Sequence, residues 1–144
     1  MQVSVLLQVK GSDVVTVRTE ITIAEVCRVL AENGIGAVVV TDDGTTIAGV
    51  LSERDIVRAL AEPHPQVLDA TAGSLMTAEV VTCQPDTTLD EVMATMTDRR
   101  IRHVPVVVDG KLTGLVSIGD VVKHHIATLE HETKAMHDYI AHPY

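Results

Sequence analysis

The chain has 144 residues, 46% of them hydrophobic, and a mean hydropathy of +0.24, enough for one domain-sized core and too apolar for a disordered segment. A formal charge of -9, with no Phe, no Trp and only two Tyr, argues against a nucleic-acid partner, because phosphate backbones need a basic surface and single strands need stacking rings. No apolar run approaches the ~18 residues of a membrane span; no signal pattern opens the chain, and Cys27 and Cys83 are too few for a disulfide framework, so the expectation is a cytoplasmic protein with reduced thiols.

In chain order, "VVTV" (14–17) reads as a first strand. Thr22, followed by Glu25, opens a helix whose Ile23, Val26, Cys27 and Leu30 share one face. "GIGAVVV" contains a GxG, but it ends a helix and precedes a strand, the reverse of a dinucleotide fingerprint, and reads as a helix C-cap. "AVVV" (37–40) is a buried strand, Asp43-Gly44 a hairpin turn and "IAGVLS" (47–52) the return strand. Ser52, followed by Asp55, opens a second helix. Residues 61–76, with Pro63, Pro65 and Gly73, read as a linker.

The same order then recurs. A shift of 66 sets "VVTV" on "VVTC" (80–83), Thr22 on Thr88, Glu25 on Glu91, Ile35 on Ile101 and Asp43-Gly44 on Asp109-Gly110. After one deletion, a shift of 65 sets Gly49 on Gly114, Ser52 on Ser117 and Asp55 on Asp120. Leu89, Val92, Met93 and Met96 make the helical face of the second copy, and Pro105 should mark a strand start or edge. A copy of about 45 residues is too small to be stable alone, so the two should pack together as one pseudo-symmetric domain. Beyond Asp120, Val122, Ile126, Leu129, Thr133, Met136 and Ile140 alternate steps of four and three, the seam of a long last helix. That seam could meet the chain's own N-terminus or a second copy.

All four S/T-x-x-acid sequences should cap helices, and an acid is favoured at the positive helix end whatever else it does. Glu closes the pattern at both first helices and Asp at both second helices. An Asp is expected to reach back poorly to the cap N–H, which would leave its oxygens for the two hydroxyls of a ribose, with helix N–H groups nearby for a phosphate. On residue chemistry alone, cap and ligand readings both stand. Arg99, Arg100, Arg102 and His103 form the basic cluster of an acidic chain; Arg99 and Arg100 read as cations at a helix C-terminus. The histidines after 120 lack metal-site spacing, and no nucleophile–base pairing suggests catalysis.

The twofold unit, with "GVLSERDIV" and "GLVSIGDVV" closing the copies and "RIRHVPVV" entering the middle strand, resembles a cystathionine-β-synthase (CBS) domain pair, or Bateman module, of the small stand-alone bacterial kind. The resemblance implies an α+β fold of tandem βαββα repeats packed with pseudo-twofold symmetry. It sets a first repeat at 8–62, a linker at 63–75, a second repeat at 76–126 and a C-terminal helix extension at 127–144. It also implies a non-catalytic regulatory homodimer that binds adenosine ligands in clefts between the repeats: AMP first, then ATP or NAD(H), with ADP and S-adenosylmethionine in the same class. A regulated protein partner is implied too, and the alternative is a structural dimerisation module with empty clefts. Carried onto this sequence, Asp55 and Asp120 hold the ribose diol, with Ser52 and Ser117 beside them. His103, with Arg102, faces phosphate. Arg54, which has Gly119 as its counterpart, reads equally as a solvated surface cation or a phosphate contact. Backbone near Thr16, Val17, Thr82 and Cys83, with Val38 and Val104, walls the adenine slot. Because Gly36 and Ala37 stand where the second copy has Arg102 and His103, the cleft around Asp120 is expected to be the better equipped for phosphate.

Overall fold

The computed structural model describes residues 1–63 and 66–142; Pro65 of the expected linker lies outside them. Elements follow as α1 (Val3–Lys10), β1 (Thr16–Val17), α2 (Ile23–Asn33), β2 (Ala37–Val40), β3 (Gly49–Ser52), α3 (Glu53–Ala61), a 3₁₀ turn (Val67–Asp69), α4 (Ala72–Leu75), α5 (Leu89–Arg99), β4 (His103–Val108), β5 (Lys111–Ser117) and α6 (Ile118–Ala141). The architecture is α+β with two small sheets and a long C-terminal helix. In the first sheet β1 lies parallel to β2, which pairs antiparallel with β3; β4 and β5 form an antiparallel pair.

Two half-cores result, and neither is made from one sequence copy alone. The first gathers Ile23, Val26 and Leu30 of α2, Val38 and Val40 of β2, Leu51 and Ile56, and is completed by Val67 and Ala72. The second gathers Leu89, Val92 and Met96 of α5, Val104, Val106 and Val116 of the sheet and Val121, and is completed by Val3 and Leu6 of α1. The second half of the expected linker is built structure, with Val67 6% and Ala72 0% exposed. Paired bridges fix the exchange, Thr22 with Thr71 in one half and Gln2 with Thr88 in the other. An opening helix over 3–10 escaped the sequence pattern, since it carries no capping side chain and only Val3 and Leu6 are buried.

The second copy departs from the first at its opening strand. In the first, the Val39 N–H donates to Val15 O at 3.3 Å and the Thr41 N–H to Val17 O at 2.8 Å. The second keeps the equivalent of the latter, Val107 N–H to Cys83 O at 2.9 Å, but Pro105 stands where Val39 stood and has no N–H to give. The strand shrinks to a single parallel bridge between Cys83 and Val106. Pro105 thus sits inside β4, on its edge facing this segment. At the hairpin tip Asp109 and Gly110 take φ of 52° and 75°, the positive pair that a two-residue type I′ turn requires.

Gly49 is held by the connecting segment: a Cβ there would lie 2.6 Å from the Met76 sulfur and 2.8 Å from the backbone oxygen of Thr77. At the matching Gly114 the obstacle is the flexible end of Leu7, at 2.8 Å. Gly49→Ala is therefore expected to destabilise the fold by about 1–3 kcal/mol, as overpacking against fixed backbone does, and Gly114→Ala by less. Urea unfolding of the two variants side by side checks the order.

Candidate functional site

Each second helix of a repeat starts on a reciprocal serine–aspartate box. The Ser52 N–H donates to Asp55 Oδ2 at 2.9 Å while the Asp55 N–H donates to Ser52 Oγ at 3.3 Å; the Ser52 hydroxyl also lies 3.1 Å from Oδ2. Ser117 and Asp120 repeat the pair at 2.9 and 3.2 Å. The expectation that Asp falls short of its cap N–H is thereby corrected. The N-cap backbone is extended, with φ of -107° at Ser52 and -101° at Ser117, and this brings the short carboxylate within reach. Of the longer acids, Glu91 closes a box with Thr88, whereas Glu25 turns to Arg28 at 2.8 Å. In both aspartates these bonds fall on Oδ2, so Oδ1 is the oxygen each can present outward.

A groove of about 370 Å³ opens beside the first box, where the repeats meet. Ser52, Arg54, Asp55 and Arg58 line it from β3 and α3, Thr77, Glu79, Val80 and Val81 from the connecting segment, and Arg99 to His103 from the end of α5 and the start of β4. Val50, Val80, Val81 and Ile101 supply apolar wall. Five of the chain's eleven Lys and Arg residues are here against two carboxylates, Asp55 and Glu79. With His103 neutral the groove has formal charge +3 in a chain of -9. Arg102 also approaches Glu53, at 4.0 Å. Burial, then the charge of Arg102, pushes the His103 imidazole below its ordinary value, against the opposing pull of Glu53 and Asp120.

The structure groups the expected site residues differently. The cations gather at Asp55, not at Asp120: Arg102 and His103 belong to the second copy in sequence but face the first copy's helix start, because the repeats cross at this point. A Cβ on Gly36 would lie 3.6 Å from His103 Cε1, which shows how close the equivalent segments come. Arg99 and Arg100 do more than close a helix, since both line the groove; Arg58 and Glu79 were passed over, and only the spacing of Arg58 three residues after Asp55 hinted at it. The residues expected to wall an adenine slot do not line this groove. Val17, Val38, Cys83 and Val104 are at most 8% exposed and lie in the half-cores, and the Cys83 N–H and C=O are both bonded to β4. Burial pushes the Cys83 thiol up to about 11, so it stays protonated. Thr16 and Thr82 are exposed.

At the second box a side chain of the protein itself holds the carboxylate. Lys10 Nζ lies 2.6 Å from Asp120 Oδ2 and 2.8 Å from the Leu115 carbonyl oxygen. Partial burial raises the Asp120 pKa, but the Lys10 hydrogen bond, the Ser117 N–H and hydroxyl and the Lys10 charge outweigh it and leave the carboxyl below its ordinary value.

Fold and groove define a two-repeat α+β module with a cationic, ligand-sized cleft where the repeats meet. The chain belongs to the CBS-domain family: the family's model matches residues 8–62 and again 72–126. It is 33% identical over 126 residues to the mitochondrial CBS domain-containing protein CBSX3 of Arabidopsis thaliana, covering 85% of this chain and 61% of that one, so it spans about three fifths of that relative. It superposes on the crystal structure of a CBS-domain protein from Agrobacterium tumefaciens with a TM-score of 0.83 and 46% identity, over 87% of this chain and 99% of the other. The CBS domain pair of protein MJ0100, crystallised with 5′-methylthioadenosine and S-adenosyl-L-methionine, gives 0.77 and 26%, over 87% and 99%. Among the described residues no helix is long and apolar enough to cross a membrane.

Two outcomes follow from this geometry. Arg100 ends α5 with φ of 53° where the first copy has Gly34 at 60°. Arg100→Gly relieves a left-handed side-chain residue and is expected to raise stability by about 0.5–1 kcal/mol in chemical denaturation. For Asp120 the folded pKa is depressed, so its contribution is present above the ordinary carboxylate value of 3.8 and is lost as pH falls through the folded one. The stability gap between wild type and Lys10→Met should therefore be open at neutral pH and close on acidification below that value, read by urea unfolding across a pH series.

Proposed function

We propose that the protein is a non-catalytic regulatory module that binds an adenosine nucleotide in the Asp55 groove and passes the occupancy to a protein partner through a homodimer. The observation that carries this is the joint placement of an anchored aspartate, with Oδ1 available, and five arginines around one groove. A ribose diol donates to Asp55, the apolar wall of Val50, Val80, Val81 and Ile101 takes the base, and Arg54, Arg58, Arg99, Arg100, Arg102 and His103 face the phosphates. The excess positive charge favours ATP or ADP over AMP, and favours all of these over S-adenosylmethionine, whose sulfonium it repels. NAD(H), with its two phosphates, fits the same charge. The MJ0100 pair supports adenosine as the common moiety. The Asp120 cleft differs, because Lys10 competes for its carboxylate, and one nucleotide per chain is the expected stoichiometry.

Binding transmits a signal only through its differential affinity for two arrangements of the protein. The groove takes residues from both repeats and from the segment joining them, so a ligand that bridges them resists any arrangement that separates them. An exposed His103 would add little. A partly buried one gains a proton more readily once a phosphate is beside it, so binding should tighten as pH falls toward the imidazole range.

Thermal shift against ATP, ADP, AMP, NAD(H) and S-adenosylmethionine tests the reading. Ligand at ~100 times its dissociation constant adds ~2.7 kcal/mol, a few degrees at this length. The shift should be largest with the nucleotides of higher charge. It should fall sharply in Asp55→Asn, which keeps an acceptor for the cap but loses the anion, and persist in Asp120→Asn. No shift with any adenosine compound would instead favour a structural dimerisation module with empty clefts.

A further inference from the structure

Only the start of α6 is packed in the chain. Val121 is 2% exposed in the second half-core, yet Val122, Ile126 and Leu129 are 44, 50 and 48% exposed and Met136 and Ile140 are 67 and 71%. The helix has 24 residues, about 36 Å at 1.5 Å per residue, and every described residue after His124 is exposed. A helix this exposed draws little stability from its own chain, whereas in folded proteins most helical stability comes from the packing of an amphipathic face. α1, the other candidate to cover the seam, is spent on the second half-core and on Asp120.

The residues that border the seam identify what covers it. Lys123, Glu130 and His137 run along one side, and His125, Glu132 and Tyr139 along the other. Set against a second α6 running the opposite way, with Ile126 facing Leu129 and Val122 facing Thr133, Lys123 meets Glu130 and His125 meets Glu132, each pair twice by symmetry. Moving that register by one heptad step, so that Leu129 faces Thr133, brings Glu130 onto Glu130 and Glu132 onto Glu132 and is repulsive. A parallel pairing leaves Lys123 opposite Ile118 and sets each Glu against a His, so its attraction requires protonated imidazoles, and it stacks Thr133 on Thr133 in the seam. Flanking charges choose partner and orientation in coiled coils. In the antiparallel register Met136 comes opposite Gly119, in the first turn of the other chain's α6, which carries the contact to the edge of the body.

We infer that α6 is a dimerisation element that pairs antiparallel with α6 of a second copy of this chain, centred between Ala127 and Thr128. This deepens the dimer half of the proposed function and involves no nucleotide, so nucleotide binding by a monomeric chain would sink this inference alone.

Sedimentation of the full chain over a concentration series, without nucleotide, should show a reversible dimer. Ile126→Asp with Leu129→Asp should give a monomer whose melting transition for the two half-cores remains. Lys123→Glu should weaken the dimer about tenfold by turning two attractive pairs repulsive, Glu130→Lys likewise, and the two together in one chain should restore it. Orientation is read by oxidation in a Cys27→Ser background: a mixture of Ile126→Cys and Leu129→Cys chains should give the mixed disulfide, and either alone much less. A monomer at every concentration, a dimer indifferent to the two aspartates, no rescue by the charge swap, or efficient self-linking of Ile126→Cys would each overturn the inference.

Discussion

The exchange of short segments between the half-cores is the constraint on which the rest depends. Val3 and Leu6, from the start of the chain, fill the second half-core, and Val67 and Ala72, from between the copies, fill the first. Neither repeat can close its apolar face without chain that lies outside its own strands and helices, which is the physical reason that units of this size fold as a pair. The same exchange makes the groove. Thr77 is bonded to Val50 at 2.9 and 3.0 Å on its way out of the first half-core, and the five residues from Thr77 that include Glu79, Val80 and Val81 then run between Asp55 and the α5 terminus.

Duplication supplies the frame, and departures from it supply the chemistry. Arg100 holds a left-handed conformation that Gly34 adopts freely in the first copy, at a cost of order 1 kcal/mol. Arg102 and His103 replace Gly36 and Ala37, and Arg54 has Gly119 as its counterpart. These replacements bring three arginines and an imidazole to the lining of the Asp55 groove, and the Asp120 side differs. There the protein supplies its own cation, Lys10, and uses it on the carboxylate. The two equivalent helix starts therefore differ: one borders an arginine-lined groove and the other is internally neutralised.

Much of the fold was legible because duplicated patterns reinforce each other. The α2 and α5 faces, the turns at Asp43-Gly44 and Asp109-Gly110 and the helix starts at Ser52 and Ser117 each occur twice, so local ambiguity in one copy is resolved by the other. What escaped lacks a copy or depends on crossing chains. Helix α1 has two buried residues and no cap. The linker's 3₁₀ turn and α4 are too short for a periodicity. The loss of the second opening strand was encoded in Pro105, but reading it required knowing that Val39 donates outward from β2. For the site, the residue types were legible and their grouping was not: sequence proximity assigned Arg102 and His103 to Asp120, whereas the repeats cross and deliver them to Asp55. The carboxylates were misjudged in reach. Their caps form, and the same bonds that satisfy Oδ2 hold each aspartate in one rotamer.

That last point reconciles the two readings of the serine–aspartate pair. A carboxylate free at both oxygens would sample several rotamers and lose that freedom on meeting a ligand. In the box, the Ser52 N–H and hydroxyl fix Oδ2 at 2.9 and 3.1 Å, so the position of Oδ1 is set before anything binds. The longer Glu could close the same box, as Glu91 does, but with one more rotatable bond beyond Cβ and with its carboxylate further from its own backbone. Asp is therefore the residue that can cap a helix and hold a preorganised acceptor at its mouth together. The cap is the means of aiming the carboxylate, and the groove's arginines distinguish the two aimed carboxylates, since Asp55 lines their groove and Asp120 is held by Lys10.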